Sequence, residues 1–344
     1  MAKYTAIGGQ ALIEGIMMKS PEKTAMAVRK KDGTIDISYP EYKSLRTKYA
    51  FFRIPFIRGI VSYIESMVQG YKAMMDSMEI SGFADIEEDD TPDEKKMSEK
   101  KKNVIMGIIT VIGTVLGVAL AVGLFMGIPW AAVQGIEYLS HSTLTEATRA
   151  LVENLIKLTV LVLYMWGTSF IKDMRRVFSY HGAEHKTIFC YEKGLELTVE
   201  NVRKQSRFHP RCGTSFLIIM VLIGVIFSTL LQFIFPALYN LGWAWVVAKI
   251  LMLPLICAVG FEVLRICGRF DNLLTRIISA PGRWMQRITT KEPDDSMIEI
   301  AIAALRACEP ETPDVDRAVD EKQEEQVEEV TEEVIEEENG QNDI

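Results

Sequence analysis

The chain has 344 residues, with 38 Lys and Arg against 46 Asp and Glu, a formal charge of −8 and 49% apolar residues. Sixteen of the acidic residues and only two basic ones, Arg317 and Lys322, fall in 309–344, so residues 1–308 carry 36 basic and 30 acidic groups, a net of +6. A mildly basic body with long uncharged runs excludes a simple soluble enzyme, and five scattered cysteines (190, 212, 257, 267 and 308) exclude a disulfide framework.

The opening Met-Ala-Lys-Tyr-Thr has no cationic stretch leading into an apolar core, which predicts no cleavable signal peptide. Gly8-Gly9-Gln10 with Glu14-Gly15 lacks the glycine spacing of a phosphate loop and reads as a tight turn. If this segment folds back, Glu14 can approach the histidines described below. Thr24–Arg29 and Thr34–Ser38 flank Lys-Asp-Gly at 31–33, the pattern of a small β-hairpin. Residues 54–80 alternate apolar and polar groups at helical spacing and predict an interfacial helix, closing an N-terminal cytoplasmic segment, 1–83. A charged linker, 84–102, follows, acidic first and then basic.

Four spans are predicted within a membrane domain, 103–262. Residues 104–128 are uncharged over 25 positions, enough to cross a hydrocarbon core of ~30 Å at ~1.5 Å per residue. The others are 150–171, which carries Glu153 and Lys157, the uncharged 214–235, and 243–261, which contains Lys249 and Pro254. Lys157 and Lys249 read as snorkelling outward, and Trp130, Trp243 and Trp245 fall where an aromatic belt is expected. Lysines 95, 96 and 100–102 precede the first span. The stretch 129–149 has only Arg149, while 172–213 has nine basic residues, 236–242 none and 263–291 six. Because basic residues stay on the cytoplasmic side, both termini and the 172–213 loop are expected there. This describes a mainly α, multi-pass membrane protein with a small N-terminal β-hairpin and cytoplasmic interfacial helices.

Beyond the last span, residues 263–308 read as interfacial and capping helices. Ile266, Phe270, Leu273, Leu274 and Ile277 make one apolar stripe, with Arg265, Arg269 and Arg276 on another face. Glu262 reads as an interfacial ion pair with Arg265. Ser296 with Glu299 reads as a capping box opening a helix to about Ala307, and the acidic tail 309–344 reads as disordered.

Three of the four histidines lie within 29 residues of the 172–213 loop; the fourth, His141, reads as a solvated outer residue. In His181-Gly-Ala-Glu184-His185, a helix would put both histidines on one face beside Glu184, the order of an inverted zincin motif. In His209-Pro-Arg-Cys212-Gly213, a two-residue gap lets both donors converge on one ion, as in a zinc knuckle. Four N and S donors, His181, His185, His209 and Cys212, suit tetrahedral Zn²⁺. Two uses compete. All four ligands would close a structural site, whereas three, with Glu184 as general base, would leave one open for hydrolysis. Each pair taken alone is better explained by hydrogen bonding to lipid phosphates or backbone carbonyls, or by a buried small side chain; it is the two together that point to a metal.

Tyr180–Lys186, Glu200–Arg203, His209–Phe216, Gly8–Gly15 and Ala280–Thr290 together resemble the YqhQ-like family of bacterial membrane proteins, over roughly 5–308. The resemblance implies a bacterial inner-membrane location and no established activity, although the family is sometimes labelled a predicted metal-dependent enzyme. The expected function is a metal-dependent hydrolase acting at the cytoplasmic membrane surface on a lipid-linked molecule or membrane peptide. Its rival is a non-catalytic adaptor with a structural zinc site, whose basic face docks a cytoplasmic protein. A transporter fits less well. Aromatic residues interleaved with basic ones are absent, so no nucleic-acid partner is expected.

Overall fold

The structure, a computed structural model, describes residues 7–42, 49–54, 57–83, 99–210, 212–235, 243–270 and 272–309, with the single positions 45, 237 and 241. Most of the linker at 84–98 and the acidic tail beyond Glu309 lie outside the described residues, and so do the expectations placed on them.

Four strands, β1 (Gly8–Leu12), β2 (Gly15–Lys19), β3 (Thr24–Arg29) and β4 (Ile35–Ser38), form an antiparallel meander in the order β1-β2-β3-β4. The predicted hairpin is its second half. The glycine-rich segment read as a turn is instead strand β1, and the turn is the Ile13-Glu14 pair beyond it, with Glu14 at a φ of 51°. Strand side chains alternate, and here both faces are covered. Ile16, Met18, Ala25 and Ala27 face one cluster, while Leu12, Met17, Met26 and Val28 face another. The second cluster includes Ala73 of α1 (Ile57–Ile80).

An apolar helix follows as α2 (Glu99–Val122), one π-helical turn at Gly123–Gly127, and α3 (Ile128–Ser140). It runs past the expected end at 128, and His141 caps it in the left-handed region, exposed to solvent. Pro129 is tolerated because it occupies the first turn of α3. Helix α4 (Glu146–Thr168) leads into α5 (Lys172–Glu192) and the short α6 (Val199–Arg203), so most of the region read as a loop is helical. Then come α7 (Gly213–Ile234), α8 (Trp243–Arg269), α9 (Leu273–Thr289) and α10 (Asp295–Cys308). The apolar stripe read as one helix is divided between α8 and α9, because Asn272 and Thr275 form a capping box that starts α9. Helix α10 is capped by Asp294 rather than Ser296. Its carboxylate accepts from the Met297 amide at 2.9 Å and from the Ser296 hydroxyl at 2.7 Å.

Among the described residues, four helices are long and apolar enough to cross a membrane, at Val111–Ser140, Thr148–Thr168, Ser215–Ile234 and Val247–Cys267. Beside them, the sheet packs on α5 and α10 through Tyr180, Ala183, Ile188, Ile298, Ala301 and Leu305. Helix α1 joins the two regions. Gly59 lets it approach Ala258 of α8, and Arg58 holds Glu262 through two bonds of 2.8 and 2.9 Å. Arg265, the expected partner of Glu262, stands further off at 3.8 Å.

Helix α9 crosses α7 where Gly282 meets Ser215; a Cβ at position 282 would sit 2.6 Å from Ser215 Cβ. Gly282→Ala should therefore cost about 1–3 kcal/mol through overpacking, read as a lower thermal midpoint of the detergent-solubilised chain. An unchanged midpoint would contradict this crossing.

Candidate metal centre

Helix α5 carries His181, Glu184 and His185 within one turn, so the three side chains share a face. Its path is fixed by Gly182, where a Cβ would lie 2.0 Å from the Lys291 carbonyl oxygen, and the Lys291 amide donates to the Phe178 carbonyl at 2.8 Å. Only glycine lets the segment after α9 cross so closely. That crossing brings the C-terminal turn of α9 onto the histidines.

Both imidazoles are oriented by backbone carbonyls. His181 Nδ1 is 2.9 Å from Thr289 O, and His185 Nδ1 is 2.5 Å from Arg207 O. A carbonyl only accepts, so each Nδ1 carries the proton and each Nε2 is left as the donor atom. This is the arrangement that metal-binding histidines use, with the second nitrogen tied to an acceptor behind it. Cys212 lies immediately before α7, its Sγ 3.1 Å from His181 Nε2. Ligand atoms of His181, His185 and Cys212 all fall within 4.8 Å of one another, the group that could hold an ion among the described residues.

His209 packs against this trio without joining it. Its ring centroid is 5.6 Å from that of His185 and 4.6 Å from that of Phe189, and its Nε2 is 3.4 Å from Glu192 Oε2. Its backbone is clamped by the buried Gln286, whose Oε1 accepts from the His209 amide at 2.8 Å. Gln286 Nε2 in turn donates to His209 O at 2.7 Å and to Ser215 Oγ at 2.9 Å.

Glu184 is only 5% exposed, within electrostatic reach of His181, His185, Cys212 and His209, and no described residue donates a hydrogen bond to it. Strand β1 covers it: a Cβ at Gly9 would lie 2.8 Å from Glu184 Cγ and from its Oε1. The N-terminal segment thus folds back onto α5, but through Gly9. Glu14 lands elsewhere, bonded to the Arg176 guanidinium by two 2.5 Å contacts and accepting from the Tyr180 hydroxyl at 3.2 Å.

The charges respond to burial and to one another. Burial pushes the Glu184 carboxyl up, partly offset by the neighbouring histidines. Burial alone would raise the Cys212 thiol as well, but the His181 and His185 rings outweigh it and hold it well below its ordinary value. His181 is pulled down by burial yet raised to about 9 overall by the facing Cys212. His209 is pushed down to about 4 by burial and by His185, so it is neutral at physiological pH. Gly9, Gly182, Gln286 and Thr289 were not read as site residues from sequence. All four act through packing or hydrogen-bond contacts that span at least 71 residues, so nothing in their local sequence signals the role.

Residues 54–311 match the family model described as a protein of unknown function, DUF1385. The chain is 34% identical over 300 residues, 86% of this chain and 90% of the relative, to the uncharacterized protein YqhQ of Bacillus subtilis (strain 168). It therefore belongs to this YqhQ-like family. No solved structure matches it.

The lowered Cys212 thiol has a direct readout. In metal-free protein the ultraviolet thiolate absorbance should persist below neutral pH and vanish in Cys212→Ser, because burial pushes the Cys190 and Cys308 thiols up instead. Thiolate absorbance that appears only above pH ~8.5, the ordinary thiol value, would contradict the pairing with His181.

Proposed function

We propose that this member of the family is a four-span membrane protein whose cytoplasmic side carries a metal-dependent hydrolytic site. His181, His185 and Cys212 would hold Zn²⁺, and Glu184 would be the general base. The observation that carries the reading is the grouping of two carbonyl-oriented imidazoles and a cysteine within 4.8 Å of one another, with the largely buried Glu184 carboxyl on the same helix face. The donor set fits zinc: two imidazole nitrogens, each with the other ring nitrogen tied to a backbone carbonyl, and one thiolate. A bound Zn²⁺ would supply Lewis acidity to a water or a carbonyl group. The chain's own residues do the rest. Thr289 and Arg207 keep the rings in one tautomer, β1 shields Glu184 from solvent, and its raised pKa brings the carboxylate toward the range where a general base works well. His209 Nε2 stands 3.4 Å from Glu192 Oε2 and outside the group of three whose donor atoms all lie within 4.8 Å of one another, which supports the open catalytic site over the closed structural one.

The membrane reading is supported by large apolar side chains left exposed along the long helices, among them Val115, Leu116, Leu163, Phe233 and Leu251. In water such faces would be a liability, while in hydrocarbon they meet their proper solvent. The chain's parity agrees. The sheet precedes the first apolar helix, α5 lies between the second and third, and α10 follows the fourth, yet all three pack in one core. Two crossings between each pair return the chain to the same side. The density of basic residues in 172–213 and 263–291 makes that side cytoplasmic. A substrate would then be reached at the membrane surface, as a lipid-linked molecule or a membrane peptide.

Metal analysis of the detergent-purified full chain tests the site. Near-stoichiometric zinc is expected in wild type and in Glu184→Gln, with loss of tenfold or more in affinity in His185→Ala and Cys212→Ser, and retention in His209→Ala. Equal loss in His209→Ala would instead mean a closed structural site and favour the adaptor. Absence of metal from folded wild type after reconstitution with zinc would remove both metal readings. For topology, fusions at either terminus should fluoresce with a cytoplasmic reporter and stay inactive with a periplasmic phosphatase; the reverse pattern would overturn the orientation.

A further inference from the structure

A cavity of about 430 Å³, separate from the His/Cys trio, lies among α4, α7 and α8, with Tyr63 of α1 at one end. Its size is that of small-molecule sites rather than packing defects. Most of the wall is apolar, built from residues such as Phe216, Met220, Leu253 and Ile256. Along α7 the lining extends from Gly213 to Ser228, about 22 Å at helical rise. The shape is therefore a shaft rather than a bowl.

The polar groups gather toward the Ser228 end. Asn154 and Lys157 enter from α4, and Lys249 enters from α8. Both lysines were expected to snorkel outward, but they line the cavity instead, and the Lys249 ammonium lies 5.0 Å from the Trp245 ring centroid. Lys157 is 2.5 Å from Glu153, and Lys249 is within electrostatic reach of both. Two ammonium groups and one carboxylate leave one positive charge in excess at the end of an apolar shaft. Ammonium groups at membrane depth are costly and mark sites where an anion or pathway meets them.

We propose that this cavity binds a single-chain anionic amphiphile, with its carboxylate or phosphate head between Lys157 and Lys249 and its acyl chain running along α7 toward Gly213. The assignment rests on the membrane-spanning reading of the four helices and is independent of the metal. Charge complementarity selects the occupant. A neutral lipid would leave the excess ammonium unpaired in hydrocarbon, whereas an anionic head supplies the missing partner and the shaft accommodates one chain.

The test uses the full chain in mild detergent and a fluorescent hexadecanoic acid, compared with its methyl ester. The acid should bind at least tenfold more tightly than the ester. Lys249→Gln should bring the two within twofold, and Lys249→Arg should retain the preference. Gly224→Leu, which projects into the shaft, should abolish binding of both. Displacement by hexadecanoate alone would identify a free fatty acid as the ligand, and displacement by hexadecyl phosphate and lysophosphatidylglycerol would identify a phosphate head; either supports the site. Equal binding of acid and ester by monodisperse wild type, or an undiminished preference in Lys249→Gln, would overturn it. Release of the chain from membranes by alkaline carbonate without detergent would defeat the membrane reading itself, a failure distinct from loss of ligand binding.

Discussion

Ile16, Met18, Ala25 and Ala27 of the sheet pack against Tyr180, Ala183 and Ile188 of α5 and against Ile298, Ala301 and Leu305 of α10. These three segments are separated in the chain by two pairs of long apolar helices, so their shared core fixes how the rest is arranged. Apolar surface of this kind is worth roughly 25 cal/mol per Å² removed from water, and the core leaves Leu305, Ile298 and Met18 with no exposed surface. If the long helices cross a bilayer, a helix lost or gained between any two of these segments would tear the core apart. The core is thus both a folding unit and a constraint on topology.

The same core positions the chemistry. It holds α5 on one side, while Arg58–Glu262 and the Gly59 contact tie α1 to α8 on the other. Between them, Gly182 and Gly282 permit two close crossings, of Lys291 over α5 and of α9 over Ser215. Those crossings bring Thr289 behind His181 and Gln286 behind His209. Buried polar groups demand partners, and Gln286 meets that demand for the loop by bonding both the amide and the carbonyl of one residue. The cluster is held from behind by backbone and amide groups, so the geometry of the rings does not depend on the ligand they face.

What sequence made visible was what is local. Uncharged runs of 25 and 22 residues announce their helices, and an Asp-Gly turn between alternating strands announces β3 and β4. The i, i+4 spacing of His181 and His185 is likewise a property of one helix. Other features were hidden because their causes are distant. Gly8-Gly9 is strand because it pairs with β2, and Gly9 lies against the Glu184 side chain, where a Cβ would clash; neither partner is signalled nearby. The break between α8 and α9 turns on the Asn272 capping box, which competes with an otherwise continuous apolar stripe. Asp294 displaces Ser296 as the cap of α10 by a shift of two residues, the scale on which helix ends are hard to read. His209 and Cys212 are paired by their spacing, but the contacts around His209, its backbone bonded to Gln286 and its Nε2 3.4 Å from Glu192 Oε2, come from residues 17 and 77 positions away and are not legible in that spacing.

The electrostatics of the cluster argue for what it faces. A carboxylate taken out of water is disfavoured, and burial raises the Glu184 pKa. Cys212 goes the opposite way, becoming a thiolate opposite a charged His181. One pair is thereby balanced and one acid has its pKa raised, while His209 stays neutral. A divalent cation among His181, His185 and Cys212 would displace the proton shared across the 3.1 Å contact and place positive charge within reach of Glu184. On that reading the largely buried acid, its pKa raised by its surroundings, is the group the bound cation would act beside.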